Sequence, residues 1–332
     1  MTHNFKELWK KINEKNYEQI FFDEFMVICD SYSADPQLKQ IIVTQLALKF
    51  EEVKEEEVTD DSSMLQKIKN RLFDVWIDCL IVCKAYTQIA EYFSEAISIQ
   101  PLFQQKDEVR VMRMTSYTGG RMSLTWNPFN VAASPRKLRA RLNGTDGLNT
   151  YEYNEEWYQD CTEELVKDIT SEFTEYMHRI AHTVKQFDPH PGGIHSYEQD
   201  LLINLRQVSH GIAHLTRRGV ANTIYVNNSE DYNLITTSPV FQGQFKNVRQ
   251  TDFHREPNDR LIILAYGNTD YVPTLQAGIN DVGIVWCPLF LLMSSGFVVD
   301  PMTFQPCQAF FTRYAVFTDD QSKKYYGVLN IK

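Results

Sequence analysis

The sequence predicts an α+β fold, because helical and strand-like patterns occupy separate stretches of the chain. Apolar residues recur at the period of a helix with one buried face in four segments, residues 1–58, 64–98, 154–187 and 197–217. Short apolar or alternating segments bounded by Gly, Pro and Asn lie between the second and third helical segments and again after Gly219. We therefore expect long helices packed on mixed β-sheets.

The first 98 residues are predicted to form a helical arm. Residues 1–58 are amphipathic and lead into the acidic run Glu51–Asp61, whose like charges favour a solvated face or a linker. Residues 64–98 are predicted to form one long helix, because apolar side chains follow helical spacing along this segment.

A β-hairpin is predicted next in the chain. The segments Val109–Tyr117 and Arg121–Trp126 read as two strands, and Gly119-Gly120 between them suits a tight turn. Residues 127–150 are rich in Asn, Gly, Pro and Ser and are locally basic, with cations at Arg136, Lys137, Arg139 and Arg141. This stretch is either a solvated surface loop or a protruding arm that meets an acidic surface on a neighbouring subunit.

The remainder of the chain alternates between helices and strands. The helix over 154–187 is predicted to end at Asp188–Gly193, and the helix over 197–217 at Gly219. Asn227, Asn228 and Ser229 can cap a short helix, and residues 241–250 suggest a hairpin around Gly243. Further strands are predicted over residues 221–226, 260–267, 282–294, 307–317 and 324–331.

Composition excludes several classes of protein. With 33 Lys and Arg against 43 Asp and Glu, the formal net charge is −10, which is unsuited to a nucleic-acid binder. The six cysteines are scattered without a CxxC pair, so we expect reduced thiols in a protein made in a cytoplasm. Neither a signal peptide nor a transmembrane span is predicted.

A search for catalytic patterns finds little. The sequence has no phosphate-binding glycine loop, no GxSxG turn and no HExxH motif. Two histidine pairs lie four residues apart on predicted helices, His178 with His182 and His210 with His214. Such a spacing can hold a metal ion, so a metal-dependent enzyme is the alternative from outside the structural class. Because no carboxylate ligand follows at motif spacing, we expect no catalytic, cofactor-binding or metal site.

The C-terminal third contains the most specific pattern in the chain. It reads LIILAYGNTDYVPTLQAGI and then GIVWCPLFLLMSSGFVVDPMTFQPCQAFFTRYAVF. This order of motifs resembles the major capsid proteins of T-even-type tailed bacteriophages. The matching residues are Tyr266-Gly267, Ala277-Gly278-Ile279, Cys287-Pro288-Leu289, Asp300-Pro301, Phe304-Gln305-Pro306 and Phe311-Thr312-Arg313-Tyr314. Weaker similarity around Gln100-Pro101-Leu102 and over 217–235 extends the resemblance to about residues 100–318.

The resemblance implies a Hong Kong 97-like capsid fold with a long spine helix, an extended β-hairpin loop and mixed sheets, to which this chain adds a helical N-terminal arm. The implied divisions are an arm over 1–98, an extended loop over 99–150, a peripheral domain over 151–200, an axial domain over 201–295 and returning C-terminal strands over 296–332. The chain is shorter than its T-even relatives, so we expect no inserted accessory domain. Ile89-Ala90-Glu91 matches the cleavage motif of the family protease, but it lies inside a predicted helix, so we expect no processing there.

The function implied is that of a structural subunit, not an enzyme, which self-assembles into hexamers and pentamers forming the virion head around the viral genome. Alternatives within this class are a vertex protein that forms only pentamers and an encapsulin-like compartment shell. Implied partners are further copies of the chain and scaffold, portal and decoration proteins, with enclosed DNA bound without sequence specificity and no membrane. The candidate intersubunit contacts are Arg121, Arg136, Lys137, Arg139, Arg141 and Arg313. Arg313 was open to two interpretations, a buried pair partner within the chain or an interface anchor.

Overall fold

The computed structural model describes residues 85–102, 104–118, 121–138, 155–189, 196–269, 271–272, 277–278, 281–299 and 306–332. The helices are residues 85–93 (α1), Glu155–Ile180 (α2), Tyr197–Thr216 (α3) and Ser229–Thr237 (α4), with a 3-10 helix at Ser322–Tyr325. The strands are Ile97–Ile99 (β1), Lys106–Thr118 (β2), Arg121–Ala132 (β3), Ser134–Leu138 (β4), Thr183–Phe187 (β5), Thr223–Val226 (β6), Asn247–Gln250 (β7), Arg260–Ala265 (β8), Tyr271–Val272 (β9), Ala277–Gly278 (β10), Ile284–Val299 (β11), Pro306–Phe317 (β12) and Tyr326–Ile331 (β13).

A five-stranded mixed sheet forms the first layer, in the order β5-β13-β8-β6-β7. Strand β5 runs parallel to β13, and β7 runs parallel to β6, while the inner pairs are antiparallel. The apolar stripe of α3 packs on this sheet in one core, which includes Leu205 and Ile212 from the helix and Ile262, Leu264 and Leu329 from the strands. Each such side chain, fully removed from water, contributes about 1.5–3 kcal/mol.

A four-stranded sheet in the order β1-β11-β12-β4 forms the second layer. Aromatic rings fill the space between this sheet and α2, where Phe173 lies 5.9 Å from Trp286 and 6.0 Å from Tyr314 between ring centroids. Phe93 at the end of α1 joins the same cluster, 5.4 Å from Phe173. Helix α2 also contacts β8 and β13, so it lies along both sheets.

The opposite face of the four-stranded sheet holds the root of the β2–β3 hairpin. Val109 and Val111 of β2 are buried there in one cluster with Cys287, Phe290 and Phe317. The two strands pair from Lys106 with Ala132 to Thr118 with Arg121. The hairpin is therefore fixed at its root by apolar packing, and β2 and β3 pair with each other rather than with either large sheet.

Hydrogen bonds and close backbone packing join the two sheets. Tyr326 at the start of β13 donates through its hydroxyl to the Ala96 carbonyl at 2.9 Å and accepts from the Ile284 amide at 3.0 Å. A Cβ on Gly267 would lie 1.8 Å from the Glu95 carbonyl oxygen, and one on Gly283 would lie 2.3 Å from the Tyr326 ring. Glycine suits these two positions, because any side chain would displace the neighbouring segments that approach there.

Local sequence signals explain the ends of the helices. Ser196 and Gln199 form a capping box at the start of α3, as expected of a Ser with Gln three residues later. The helix predicted over 197–217 is confirmed, since it ends at Thr216 with Arg217 as its C-cap; the left-handed residue that closes it is Arg217, at φ 60°, and not Gly219. The prediction that Asn227, Asn228 and Ser229 cap a short helix is confirmed, since the Asn228 side chain accepts from the Glu230 and Asp231 amides.

Two predicted helices are shorter in the structure. The helix predicted over 64–98 ends at residue 93, because Ser94 has φ 50° and residues 97–99 pair with β11. The helix predicted over 154–187 ends at Ile180, and Thr183–Phe187 instead forms β5. In both places the pairing partner is distant in sequence, so helical periodicity alone could not reveal it.

Two predictions about connecting segments were wrong. Residues 127–150 were predicted to be a loop, but β3 continues to Ala132 and Ser134–Leu138 forms β4, paired with β12. No hairpin forms around Gly243, because β7 pairs in parallel with β6 and Gly243 lies in a turn at φ 71°. The strands predicted over 109–117, 221–226, 260–267, 282–294, 307–317 and 324–331 are confirmed with small shifts of their ends.

Some predictions lie outside the described residues. These are the amphipathic segment 1–58, the acidic run 51–61, the predicted turn at Gly119-Gly120 and residues 139–154. The triplet Ile89-Ala90-Glu91 lies within α1, where Ile89 is fully buried. Among the helices that the structure describes, none is long and apolar enough to cross a membrane.

Candidate functional site

The predicted contact residue Arg121 lies at the distal end of the β2–β3 hairpin. Its backbone pairs with that of Thr118. The two strands of the hairpin have 13 and 12 residues, and Val109 and Val111 hold its root against the core. A two-stranded ribbon gains little stability from its own pairing, so a long hairpin needs packing against another surface. The structure therefore has an element whose root is buried in its own chain and whose far end extends beyond that core.

The basic residues Arg136 and Lys137 lie on β4, the outer strand of the four-stranded sheet. Their backbones pair with Thr312 and Phe311 of β12. This pairing fixes the base of the basic segment to the sheet edge, so the segment begins as ordered strand instead of as loop. Arg139 and Arg141, the other two cations of the segment, lie outside the described residues.

Arg313 lies on β12, opposite Phe290 of β11 and Pro135 of β4. The centre of its guanidinium is 5.9 Å from the centroid of the Phe290 ring. Its Nε atom is buried and has no hydrogen-bond acceptor within the described ranges. The described residues therefore provide no acceptor for this atom, which does not favour the interpretation of Arg313 as a buried pair partner within the chain. Arg313 therefore lies on the strand that pairs with β4, next to the edge of the sheet.

Helix α2 presents carboxylates to solvent between Glu163 and Glu175. Glu163, Asp168 and Glu175 are exposed, and Lys167 lies among them, 4.0 Å from a carboxylate oxygen of Asp252. Partial burial raises the pKa of Asp168, and the nearby Glu172 raises it further while Lys167 opposes the shift.

The histidines do not come together at a metal site. His178 lies on α2 with its ring 5.4 Å from that of Phe253, and burial and the nearby Arg255 lower its pKa. His182, His210 and His214 are exposed at other places on the surface. Within the described part of the chain, no group of three or more His, Cys, Asp or Glu side chains could hold a metal ion. His190 and His195 lie outside those residues.

A buried ion pair near the junction of the sheets was missed by sequence reasoning. The guanidinium of Arg218, just after α3, donates to the Asp281 carboxylate, and the two side chains are only 4% and 6% exposed. The Tyr325 hydroxyl donates to the same carboxylate at 2.7 Å. The Asp281 backbone forms a two-way bridge with that of Asn268. These residues are far apart in the sequence and belong to no motif, so no local signal could have identified them.

Comparison with known proteins identifies the family. Residues 104–330, more than half of the chain, match the family model described as "Major capsid protein Gp23". No curated protein sequence matches the chain. This match covers the C-terminal motifs and the hairpin, and it confirms the resemblance predicted over about residues 100–318.

Several solved structures are similar in coordinates. A virus-like particle from Pyrococcus furiosus is 13% identical and has a TM-score of 0.44, with 74% of this chain and 96% of that chain covered. The structure titled "Mycobacterium phage Che8" is 8% identical with a TM-score of 0.40, covering 68% and 84%. The capsid of Myoviridae phage XM1 is 7% identical with a TM-score of 0.38, covering 73% and 91%.

The family match confirms the predicted α+β capsid fold of the Hong Kong 97 type, and the observed spine-like helix α2, long hairpin and mixed sheets agree with it. The family is a structural one, and its place is the head of the virion. The chain belongs to the Gp23 major capsid protein family and is a structural subunit of a capsid shell.

Proposed function

We propose that this subunit assembles into hexamers and pentamers, which tile a phage head around DNA without sequence-specific binding. The observation that carries the proposal is the β2–β3 hairpin, whose root is buried in its own chain and whose two strands pair with each other as a separate two-stranded sheet. Contacts in a closed ring join one patch to a different patch on the neighbour, and an extended element on one side of a subunit provides such asymmetry.

We propose that the working division of the subunit follows its two sheets. The expected axial domain over 201–295 would then be the five-stranded sheet with α3 and α4, including β5 and β13 from outside those limits. The expected peripheral domain over 151–200 would be α2 with the four-stranded sheet, to which the C-terminal strands over 296–332 return. Residues 1–98 and 99–150 remain the proposed arm and extended loop.

The contacts that we propose between subunits are electrostatic. Arg121 and the basic segment from Arg136 to Arg141 would lie on a carboxylate-rich surface of the next subunit. Two surfaces qualify by charge, the acidic run 51–61 and the exposed carboxylates of α2. Single exposed ion pairs contribute less than about 1 kcal/mol each. Repetition around a ring and across a shell multiplies that contribution, so a weak contact can still decide whether the lattice holds.

Charge reversal tests this contact. Changing Arg136, Lys137, Arg139 and Arg141 together to Glu should abolish assembly while leaving the circular dichroism spectrum and the melting temperature of the unassembled subunit within error. Because two of these residues lie on β4, the double variant Arg139→Glu with Arg141→Glu isolates the contact from strand stability, and it should raise the concentration required for assembly.

The matched control reverses four exposed cations elsewhere and changes the net charge by the same amount; these are Arg179, Arg206, Lys323 and Lys332. We expect this control to assemble normally, since general repulsion between subunits is then equal in both proteins. Normal assembly of the 136–141 variant, or equal failure of both variants, would remove the basic segment from the proposed contact.

Ring size and contents separate this proposal from its alternatives. A vertex protein would form only pentamers, whereas a major shell subunit would form hexamers as well. An encapsulin-like compartment would enclose protein and no nucleic acid. Particles recovered from expressing cells, treated with nuclease and imaged, would give both answers in one preparation.

We further propose that the protein is made in the host cytoplasm and acts without catalysis, with scaffold, portal and decoration proteins as additional partners. The scattered cysteines fit a reducing compartment, and the free cysteine Cys287 is buried, which raises the pKa of its thiol. The alternative of a metal-dependent enzyme predicts stoichiometric metal in the purified chain that is lost on mutation of His178 or His210. Metal analysis of the purified subunit distinguishes the two.

A further inference from the structure

We propose that Arg313 binds a carboxylate of a second copy of this chain, and that this ion pair forms only on assembly. The inference rests on the proposed function as a self-assembling shell subunit, and it names the partner of one contact residue. It concerns a different contact from the one proposed for the basic segment, since Arg313 is on β12 and not on the hairpin or its arm.

The strand alternation fixes the direction of the Arg313 side chain. The hydroxyl of the next residue, Tyr314, donates to the Glu172 carboxylate of α2, so Tyr314 faces that helix. Successive side chains of a strand project to opposite faces, so Arg313 projects to the face that holds the hairpin root. Ala315 and Phe317, two and four residues further on, lie in the buried cluster on that face. Arg313 is next in this row.

The electrostatic state of Arg313 is incomplete within one subunit. The side chain is half-buried, and its Nε is buried without an acceptor among the residues described. A cation over an aromatic ring gains about 0.5–1 kcal/mol at an exposed site, but the Phe290 ring offers no hydrogen-bond acceptor. Burying a charged donor without a partner is unfavourable, so an acceptor from outside the subunit would be strongly preferred.

Comparable arginines in the chain show which acceptor this fold uses. Arg260 reaches Asp231 through two hydrogen bonds at 2.6 and 3.1 Å, and Arg218 pairs with Asp281. Arg260 meets its carboxylate with two guanidinium nitrogens, which matches the fork geometry, whereas Arg218 donates to Asp281 through Nε alone. Arg313 differs because its own chain, where described, supplies no carboxylate to it.

A second copy is the partner that best fits this site. The chain has ten more acidic than basic side chains, since 43 minus 33 is 10, so its copies present carboxylates in excess. The strand next to Arg313, β4, is the outer strand of its sheet, so a neighbour can approach along that edge. The exposed carboxylates of α2 are examples of acceptors that a neighbouring copy offers.

Carbodiimide cross-linking of an Arg313→Lys variant tests the inference directly. Carbodiimide joins an amine to a carboxylate only when the two are in contact. Variant subunits labelled with nitrogen-14 and nitrogen-15 are mixed before assembly, and cross-linked peptides are identified by mass spectrometry. We expect residue 313 to link to an Asp or Glu, with mixed-isotope pairs present in assembled particles and absent from unassembled subunits. The contact of Lys246 with Glu95 within one chain serves as the internal control for the reaction.

A link from residue 313 only within one isotope would overturn the inference, as would its absence from particles in which the Lys246 link forms. Because lysine could fail to reach the acceptor, Arg313→Met provides a second test. This variant should melt at or above the temperature of the unassembled wild-type subunit, since it removes an unpaired charge, yet require about tenfold higher concentration to assemble. A lower melting temperature with unchanged assembly would mean that Arg313 acts within its own subunit. If the wild-type chain itself never assembles, the proposed function fails as well, which separates the two failures.

Discussion

Removal of the Asp281 carboxylate tests the buried pair near the sheet junction. Asp281→Asn keeps the size of the side chain but leaves the Arg218 guanidinium, 4% exposed, without its counter-charge. Loss of one partner of a buried ion pair costs about 3–5 kcal/mol, because the other charge remains buried and unpaired. The Tyr325 hydroxyl keeps an oxygen acceptor in Asn, so its hydrogen bond adds little to that figure. We expect the variant to lose about 3–5 kcal/mol of unfolding free energy.

Urea unfolding of the unassembled subunit, followed by circular dichroism, measures this loss. The control is Glu108→Gln, which removes the exposed pair of Glu108 with Arg110 and should change stability by about 0.5 kcal/mol or less. The double variant Arg218→Met with Asp281→Asn should cost less than Asp281→Asn alone, because it removes the stranded charge. A loss below about 1 kcal/mol for Asp281→Asn, or a double variant worse than the sum of the single ones, would refute the role assigned to the pair.

Two further predictions concern packing and pH. Gly267→Ala should lower the melting temperature strongly, because its Cβ would overlap the Glu95 carbonyl. Gly243, at φ 71° with no atom within 4 Å of an added Cβ, provides the control, and Gly243→Ala should show only the smaller cost of a left-handed alanine. Equal effects of the two substitutions would contradict the packing at Gly267. Burial beside Phe253 lowers the pKa of His178, so the unfolded chain binds this proton more tightly and the stability from neutral His178 falls as pH drops through about 6.5. Urea unfolding at pH 7 and pH 5 should show a smaller loss in His178→Gln than in the wild type, and an equal loss would contradict the assignment.

Local chemistry made much of this fold predictable from the sequence. Helix α3 begins at a capping box and keeps an apolar stripe to its end, so its limits follow from signals within the segment. Strand β8 is an apolar run too short for a typical helix, and β11 contains Pro288 and Gly296, which disfavour a helix. The structure of such elements can be predicted from the sequence, because the features that determine it are a few residues apart.

Other elements depend on partners that are distant in the chain. Thr183–Phe187 continues a helical pattern but forms β5, because the backbone of β13 offers it a parallel partner. The basic segment resembles a loop by composition, yet part of it pairs with β12 and forms strand β4. Propensity and periodicity describe one segment at a time, and they are overridden where tertiary pairing is more favourable.

In the candidate site, too, some residues could be predicted from the sequence and others could not. Sequence reasoning selected Arg313 from a family motif, but only the structure places its Nε in a buried position without an acceptor in the described chain. The pair of Arg218 with Asp281 was missed because its members are 63 residues apart and each is unremarkable in its own segment. The role of a charged side chain depends on the groups that it contacts in the folded protein, and a single sequence does not reveal those contacts.

Assembly itself is the most direct test of the central claim that this chain is a shell-building subunit. Negative-stain electron microscopy of the purified full-length chain at rising concentration, with light scattering for mass, measures it. A shell-building subunit should show a concentration-dependent transition to hexameric rings, tubes or closed shells made of this chain alone. A particle that remains a monomer or dimer up to the limit of solubility would contradict it.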